Sequence, residues 1–354
     1  MAGHNGGVTA TTHPAAGGGS GTAVGAPGRA DVEQAAAWLS GRTVATPVVR
    51  SPALDRLSGA RLWLKAENLQ ETGSYKYRGA LRAVDRVARE GRHRGVVAQS
   101  TGNHGIAVAA AARTYGLAAT VVLPADAAAN KVARVESYGA QVVRRGTTVE
   151  ERLEEVQRLH REHGYAVVDA YDHPDVVVGQ GTAALELIRE VERRGAGLDA
   201  LVLPVGGGGG IAGACLAATG RDLAIVGVEP VGCDSLGRSL DAGHRVTVPP
   251  APTLADGLRP STVGELPFEI ASRSGTTVVR VDDPEIVRAM VLAALHTALV
   301  LEPSAAAGLA GALRIAASGG YRDIGVVLTG GNVEPAVLAQ ALAGAATVAE
   351  EGVR

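Results

Sequence analysis

The chain has 354 residues, 46% hydrophobic and 20% charged, with a formal net charge of −2, enough length to bury a sizeable core in one large domain or two medium ones. It has no long basic run, so it lacks the positive field that non-specific nucleic-acid binding needs. No stretch reaches the ~18 uncharged apolar residues of a membrane span, which leaves a soluble protein.

Residues 1–28 are rich in Gly, Ala and Thr without apolar periodicity, and they lack a signal peptide's basic start and apolar run; a disordered tail is expected. From Asp31 onward, short Val-rich strands alternate with Ala-rich helices. The strand candidates are Arg61–Lys65, Gly95–Gln99, Ala119–Leu123, Gln141–Val143, Ala166–Val168, Ala200–Val205, Ala224–Val228, Thr277–Val281 and Ile324–Leu328. They lack polar alternation, as strands buried on both faces do. Helical stretches lie between them: Tyr77–Glu90, Gly105–Tyr115, Asn130–Tyr138, Val149–His163, Gly179–Arg193, Asp283–Leu299 and Ser304–Ala317. This alternation predicts an α/β protein with mostly parallel sheets. Only 3% of residues are aromatic, with one Phe, so the core is expected to consist of Ala, Val, Leu and Ile. Cys215 and Cys233 make neither a disulfide framework nor a CxxC pair, which fits a reducing cytoplasm.

In parallel sheets, ligands sit where strand carboxyl ends meet helix N-termini. Four segments fall at such places. Gly206, Gly207, Gly208, Gly209 and Gly210 join a buried strand to an apolar helix; bare backbone there can converge several N–H groups on a phosphate. The alternative is a flexible turn, although five glycines cost much entropy for a mere turn. A P-loop is excluded because no Lys-Ser/Thr follows, and the dinucleotide spacing matches poorly. The segment Ser74–Ala80 places Lys76 at a helix start. Lys occurs only at 65, 76 and 131 in an Arg-rich chain, and unlike Arg it can lose its proton and act as an amine. Burial would lower its pKa; the alternative is a solvated surface charge. Ser100-Thr101-Gly102-Asn103-His104-Gly105 opens an Ala-rich helix with N–H, hydroxyl and amide groups that suit a carboxylate, or serve only as an N-cap. Thr329-Gly330-Gly331-Asn332 ends a strand, and is either a site segment or a cap and turn.

Taken together and in this order, these segments resemble the serine/threonine dehydratase and serine racemase family of fold-type II pyridoxal 5′-phosphate (PLP) enzymes, from about Val44 to Asn332. The resemblance implies two α/β domains, each a mostly parallel sheet flanked by helices, with the cofactor between them. A small domain would run over 93–168 and a large one over 29–92 and 169–345, with 346–354 a C-terminal tail. Lys76, in Ser-x-Lys-x-Arg-Gly-Ala, is implied as the PLP lysine beside Tyr75. Ser100, Thr101, Gly102, Asn103 and His104 are implied as the substrate-carboxylate loop, with Asn103 beside the cofactor's phenolic oxygen. Gly206–Gly209 match the phosphate-binding tetraglycine, and Thr329 the hydroxyl facing the pyridine nitrogen. Supporting matches are Tyr138-Gly139-Ala140, Gly179-Gln180-Gly181-Thr182 and Glu302-Pro303-Ser304.

Unbroken glycines and His104 after Asn103 place the chain nearer the dehydratases than the cysteine synthases. Three departures stand out. Gly210 replaces a bulky aliphatic, which is expected to loosen that turn. Thr101 stands where racemases have a serine that protonates the second face of Cα, which disfavours racemisation. A divalent-ion site is implied at Glu229 and the Cys233 carbonyl, but Ser235 occupies the place of its second carboxylate, with Asp234 one residue early. A C-terminal regulatory domain is not expected in a chain ending at Arg354.

The resemblance implies a homodimer that eliminates the β-hydroxyl of a small amino acid, threonine or serine, to give a 2-oxo acid and ammonia, with Lys76 moving the Cα proton and Thr101 as a further catalytic candidate. β-Replacement uses the same residues and stays an alternative, followed by 3-hydroxyaspartate deamination, serine racemisation and a non-catalytic binder. Asp256-Gly257-Leu258-Arg259 is a candidate substrate-pocket edge, with Arg259 alternatively a surface charge. Tyr75 and Tyr77 are alternatively packing residues.

Overall fold

The computed structural model describes residues 26–100, 102–127, 129–146 and 148–343. The expected tails therefore lie outside these residues, apart from 26–28, as does Thr101.

The chain opens with α1 (Arg29–Leu39), β1 (Val48–Val49), α2 (Pro52–Ser58), β2 (Arg61–Lys65) and α3 (Lys76–Glu90). It continues through β3 (Gly95–Gln99), α4 (Asn103–Thr114), β4 (Ala118–Leu123), α5 (Ala129–Ser137), β5 (Gln141–Arg144), α6 (Val149–His163) and β6 (Ala166–Val167). Then come α7 (Pro174–Arg193), β7 (Ala200–Pro204), α8 (Gly209–Ala218), β8 (Ala224–Pro230), α9 (Ser235–Ala242) and α10 (Glu265–Arg273). The last elements are β9 (Thr277–Val281), α11 (Asp283–Thr297), α12 (Pro303–Ala317), β10 (Asp323–Val327) and α13 (Pro335–Ala343).

Two sheets form. One has the order β1-β2-β10-β7-β8-β9, and the other the order β5-β4-β3-β6. Every pairing is parallel except β1 with β2, so the α/β expectation holds. The nine strand candidates all appear, shifted by at most a residue or two at their ends. The two-residue β1 and helices α1, α2, α9 and α10 are not among the sequence candidates; β1, α2 and α9 are too short for periodicity to register.

Apolar side chains cover both faces of each sheet. The low aromatic content is answered by small residues: Ala107 and Ala109–Ala112 of α4 are all buried. Small side chains let helices and sheets approach closely, and glycines carry this furthest at α7. A Cβ on Gly179 would stand 2.7 Å from Arg78 O, and one on Gly181 would stand 2.5 Å from Gly213 O. Helix α7 thus holds α3 on one side and α8 on the other at backbone contact.

Beneath α3, Arg78 is fully buried and forks onto Glu67 (2.8 and 2.8 Å) and Glu186 (2.6 and 2.8 Å). Lys65 joins through Glu186 at 2.7 Å. A buried charge survives only when it is paired and hydrogen-bonded. The motif arginine is therefore the anchor of the helix that begins at Lys76.

Candidate functional site

Strands β2, β10 and β7 are neighbours and run parallel, so the segments that follow them emerge at one edge. Two hydrogen bonds zip the first pair together: Tyr75 N–H donates to Thr329 O at 3.0 Å, and Gly331 N–H to Gly73 O at 2.9 Å. Lys76 and Thr329 are joined in this way by backbone, and the glycine run leaves β7 beside them.

Lys76 is the first residue of α3 and is partly buried. Its Nζ donates to the Ala170 carbonyl at 2.9 Å. Burial pulls its pKa down to about 8, against the opposing charges of Asp169 and Glu302. A lysine so placed has a sizeable neutral fraction near pH 8, as an amine nucleophile requires.

The glycine run is closely covered. A Cβ on Gly206 would stand 2.7 Å from Gly257 O, and one on Gly207 would stand 2.1 Å from the Tyr171 ring. Gly208 has φ +93 and caps α8, a conformation that side chains resist. Gln180 lies beside Gly209, buried, with neither end of its amide hydrogen-bonded among the described residues. A bare N-terminal helix turn with an orphaned amide beside it fits a phosphate group. The residues present fit PLP: an amine of lowered pKa, a phosphate cradle, and Thr329 (6% exposed) between them.

Gly210 does not loosen the turn as expected. It lies inside α8, and a Cβ there would be 2.5 Å from the Tyr75 hydroxyl. The space of the absent aliphatic is taken by a buried tyrosine, whose pKa burial pushes up. Tyr77 packs in the core of the second sheet.

The loop after β3 is closed by Ser100, whose Oγ accepts from Gly102 N–H at 2.9 Å. His104 is buried, its Nε2 2.9 Å from Val168 O and its Nδ1 without a partner among the described residues. Burial, and then the charge of Lys76, lowers its pKa to about 3. It is a neutral imidazole at working pH. Asn103 donates to Glu302 Oε1 at 2.6 Å and accepts from Asn332 Nδ2 at 2.7 Å.

The sequence marks Glu302-Pro303-Ser304 only as a supporting match and assigns Glu302 no part in the site. Burial, then the charge of Asp256, raises its pKa to about 7. Ala170 escaped notice because it acts through a carbonyl that every residue has. Asp256 pairs with Lys131 of α5 at 2.6 Å, a bridge between segments attached to the two sheets, while Arg259 is exposed.

Glu229 and Cys233 do not fit a divalent ion as they stand. The Glu229 oxygens accept from Leu236 N–H (2.8 Å) and Gly237 N–H (2.9 Å), capping α9. Asp234 is held by Arg280 at 2.6 Å and Arg238 at 3.0 Å. No group of three or more His, Cys, Asp or Glu side chains able to hold a metal occurs among the described residues. A guanidinium stands where a cation would need those oxygens.

Residues 39–330 match the family model described as pyridoxal-phosphate dependent enzyme. The chain belongs to this family. It is a PLP-dependent enzyme. It is 40% identical over 293 residues to an L-threo-3-hydroxyaspartate ammonia-lyase of Saccharomyces cerevisiae, covering 82% of this chain and 88% of the relative. A serine racemase of Dictyostelium discoideum is 37% identical over 295 residues, covering 82% and 90%. Among solved structures, the threonine deaminase of T.th. superposes with a TM-score of 0.82 at 39% identity, over 87% of this chain and 99% of that one. The fold-type II expectation is met. Among the described residues, no helix is long and apolar enough to cross a membrane.

Proposed function

We propose that this enzyme removes the β-hydroxyl and α-amino groups of a small β-hydroxy amino acid, L-threonine or L-serine, to give a 2-oxo acid and ammonia. The single observation that carries this reading is the Lys76 amine, its pKa lowered to about 8, held beside Thr329 and the glycine run. When bound, PLP supplies an aldehyde for amines and a ring that accepts the electrons of the Cα–H bond.

The chain's own residues do the rest. Gly206–Gly210 present N–H groups to the phosphate, and Thr329 a hydroxyl to the ring nitrogen. Ser100–His104 take the substrate carboxylate; neutral His104 adds no positive charge beside Lys76. Thr101, outside the described residues, is assigned to the same loop. Lys76 takes the Cα proton as a neutral amine. Hydroxide leaves Cβ with the proton that Lys76 took from Cα and departs as water, which returns Lys76 to the neutral amine; the freed enamine is hydrolysed by a second water to the 2-oxo acid and ammonia.

A second substrate reading, 3-hydroxyaspartate, is favoured by relatives at 40% identity that carry that activity in their names. β-Replacement and serine racemisation draw on the same residues. We also assign two domains, 93–168 around the second sheet and 29–92 with 169–345 around the first, and a homodimer. Exposed Leu69 and Val300 support the dimer; Asn68 Nδ2 reaches Val300 O at 3.3 Å, so the two are neighbours. Buried, unpaired Cys215 and Cys233 support a cytoplasmic setting.

The test is Lys76→Ala. It should abolish both the yellow absorbance of the holoenzyme and 2-oxo acid release from serine, threonine and threo-3-hydroxyaspartate. Turnover retained in that variant refutes the reading. In the wild type, 2-oxo acid formation with no added nucleophile separates elimination from β-replacement, and relative kcat/KM across the three substrates picks among them.

A further inference from the structure

A line of hydrogen bonds runs from the surface to the site. Arg134, exposed on α5, donates from Nη1 to Asn332 Oδ1 at 2.6 Å and from Nη2 to Thr72 O at 3.3 Å. Asn332 Nδ2 donates to Thr72 O at 2.9 Å and to Asn103 Oδ1 at 2.7 Å. Asn103 Nδ2 donates to Glu302 Oε1 at 2.6 Å. Glycines clear its path: a Cβ on Gly73 would stand 2.2 Å from Asn332 Oδ1, and one on Gly330 would stand 2.4 Å from Glu302 Oε1. Arg134 and Asn103 lie on helices of the second sheet, whereas Thr72, Asn332 and Glu302 lie beside the first.

An amide side chain can turn either its oxygen or its nitrogen toward a neighbour, whereas a guanidinium can only donate. Arg134, donating to Oδ1, and the Thr72 carbonyl, accepting from Nδ2, together hold Asn332 with Oδ1 outward and Nδ2 inward. That in turn obliges Asn103 to present Oδ1 to Asn332 and to turn Nδ2 into the site. A cation at the surface thus acts with the Thr72 carbonyl and Glu302 to hold the end of the Asn103 amide that faces the chemistry.

We propose that Arg134 is a positioning residue for Asn103, acting through Asn332. This rests on the reading of Asn103 as a residue beside the cofactor. Helix α5 is also seated by Lys131 on Asp256 (2.6 Å) and by Asn130 on Glu334, so loss of Arg134 disturbs the amide orientation without detaching the helix.

The experiment compares absorbance spectra and steady-state kinetics of PLP-loaded variants. Asn103→Ala sets the reference change in the spectrum. Arg134→Ala and Asn332→Ala should shift the spectrum in the same direction. Each should lower kcat about 10-fold, the size of one charge-assisted hydrogen bond, with a smaller change in KM. The double variant should be no worse than Asn332→Ala alone, and Arg134→Lys, also a donor-only cation, should restore the spectrum. If Arg134→Ala fails to fold, Arg134→Met, which keeps an unbranched stem and cannot donate, carries the same comparison. Wild-type spectrum and kcat in the Arg134 variant, with or without a lower melting temperature, overturn the proposal, as do additive losses in the double variant. If Asn103→Ala itself leaves the spectrum unchanged, the site reading has failed, and this role falls with it.

Discussion

Replacing Gly213 with Ala should damage the site from a distance. Gly213 lies in α8, where a Cβ would stand 2.5 Å from both Gly181 N and Val177 O of α7. Non-bonded heavy atoms rest at about 3.5–4.0 Å. Backbone atoms have no rotamer to change, so α7 and α8 must part by about 1 Å to relieve the contact. Alanine brings back about 0.8–1 kcal/mol of helix propensity, while overpacking a close-packed contact costs about 1–3 kcal/mol. The net loss of stability is therefore small. The functional loss should not be. Helix α8 begins at the glycine run, and α7 also touches α3 through Gly179, so a parting of α7 and α8 moves the phosphate cradle relative to Lys76. A misplacement of about 1 Å can cost on the order of 100-fold in rate. Denaturant titration, PLP affinity and kcat/KM for 2-oxo acid release measure the three quantities. Gly197→Ala is the control, because a Cβ there meets nothing within 4 Å. A Gly213→Ala enzyme with kcat/KM within about twofold of wild type would refute the reasoning.

Two further outcomes follow from the charges. Arg78→Ala takes the bidentate partner from the fully buried Glu67 carboxylate, leaving it the Thr46 hydroxyl and Lys65 at 3.9 Å, and should cost about 3 kcal/mol in urea denaturation; a loss below about 1 kcal/mol would mean that those two groups suffice. Glu302 has its folded pKa raised from 4.5 to about 7, so the folded state favours its protonated form. Its contribution to stability is therefore complete below 4.5 and is lost as pH rises through about 7. Glu302→Gln is neutral throughout, so wild type should lose stability relative to the variant across that window. Melting curves that stay parallel from pH 4.5 to 7 would show that Glu302 does not titrate there.

Much of this architecture could be read from residue order. Short Val-rich runs without polar alternation, bounded by turns and alternating with helices, read as strands, and each stands in a sheet. Lys76, the glycine run and Thr329 were conspicuous because their chemistry needs unusual residues: a rare lysine, five consecutive glycines, a hydroxyl at a strand end. Two-residue β1 and the short helices α2 and α9 were not legible, because periodicity needs length to show.

What the amino-acid order determined was the kind of chemistry, since an amine and a phosphate cradle are properties of residue types. What folding alone decided was the environment of those groups. Glu302 became a carboxylate of raised pKa because the fold surrounded it with protein. Arg78 became an anchor because Glu67, from the turn after β2, and Glu186, from α7, met it there. Asp234 met Arg280, so the acids near Glu229 hold a guanidinium. Burial and partner choice depend on contacts between residues far apart in sequence, and no local pattern encodes them.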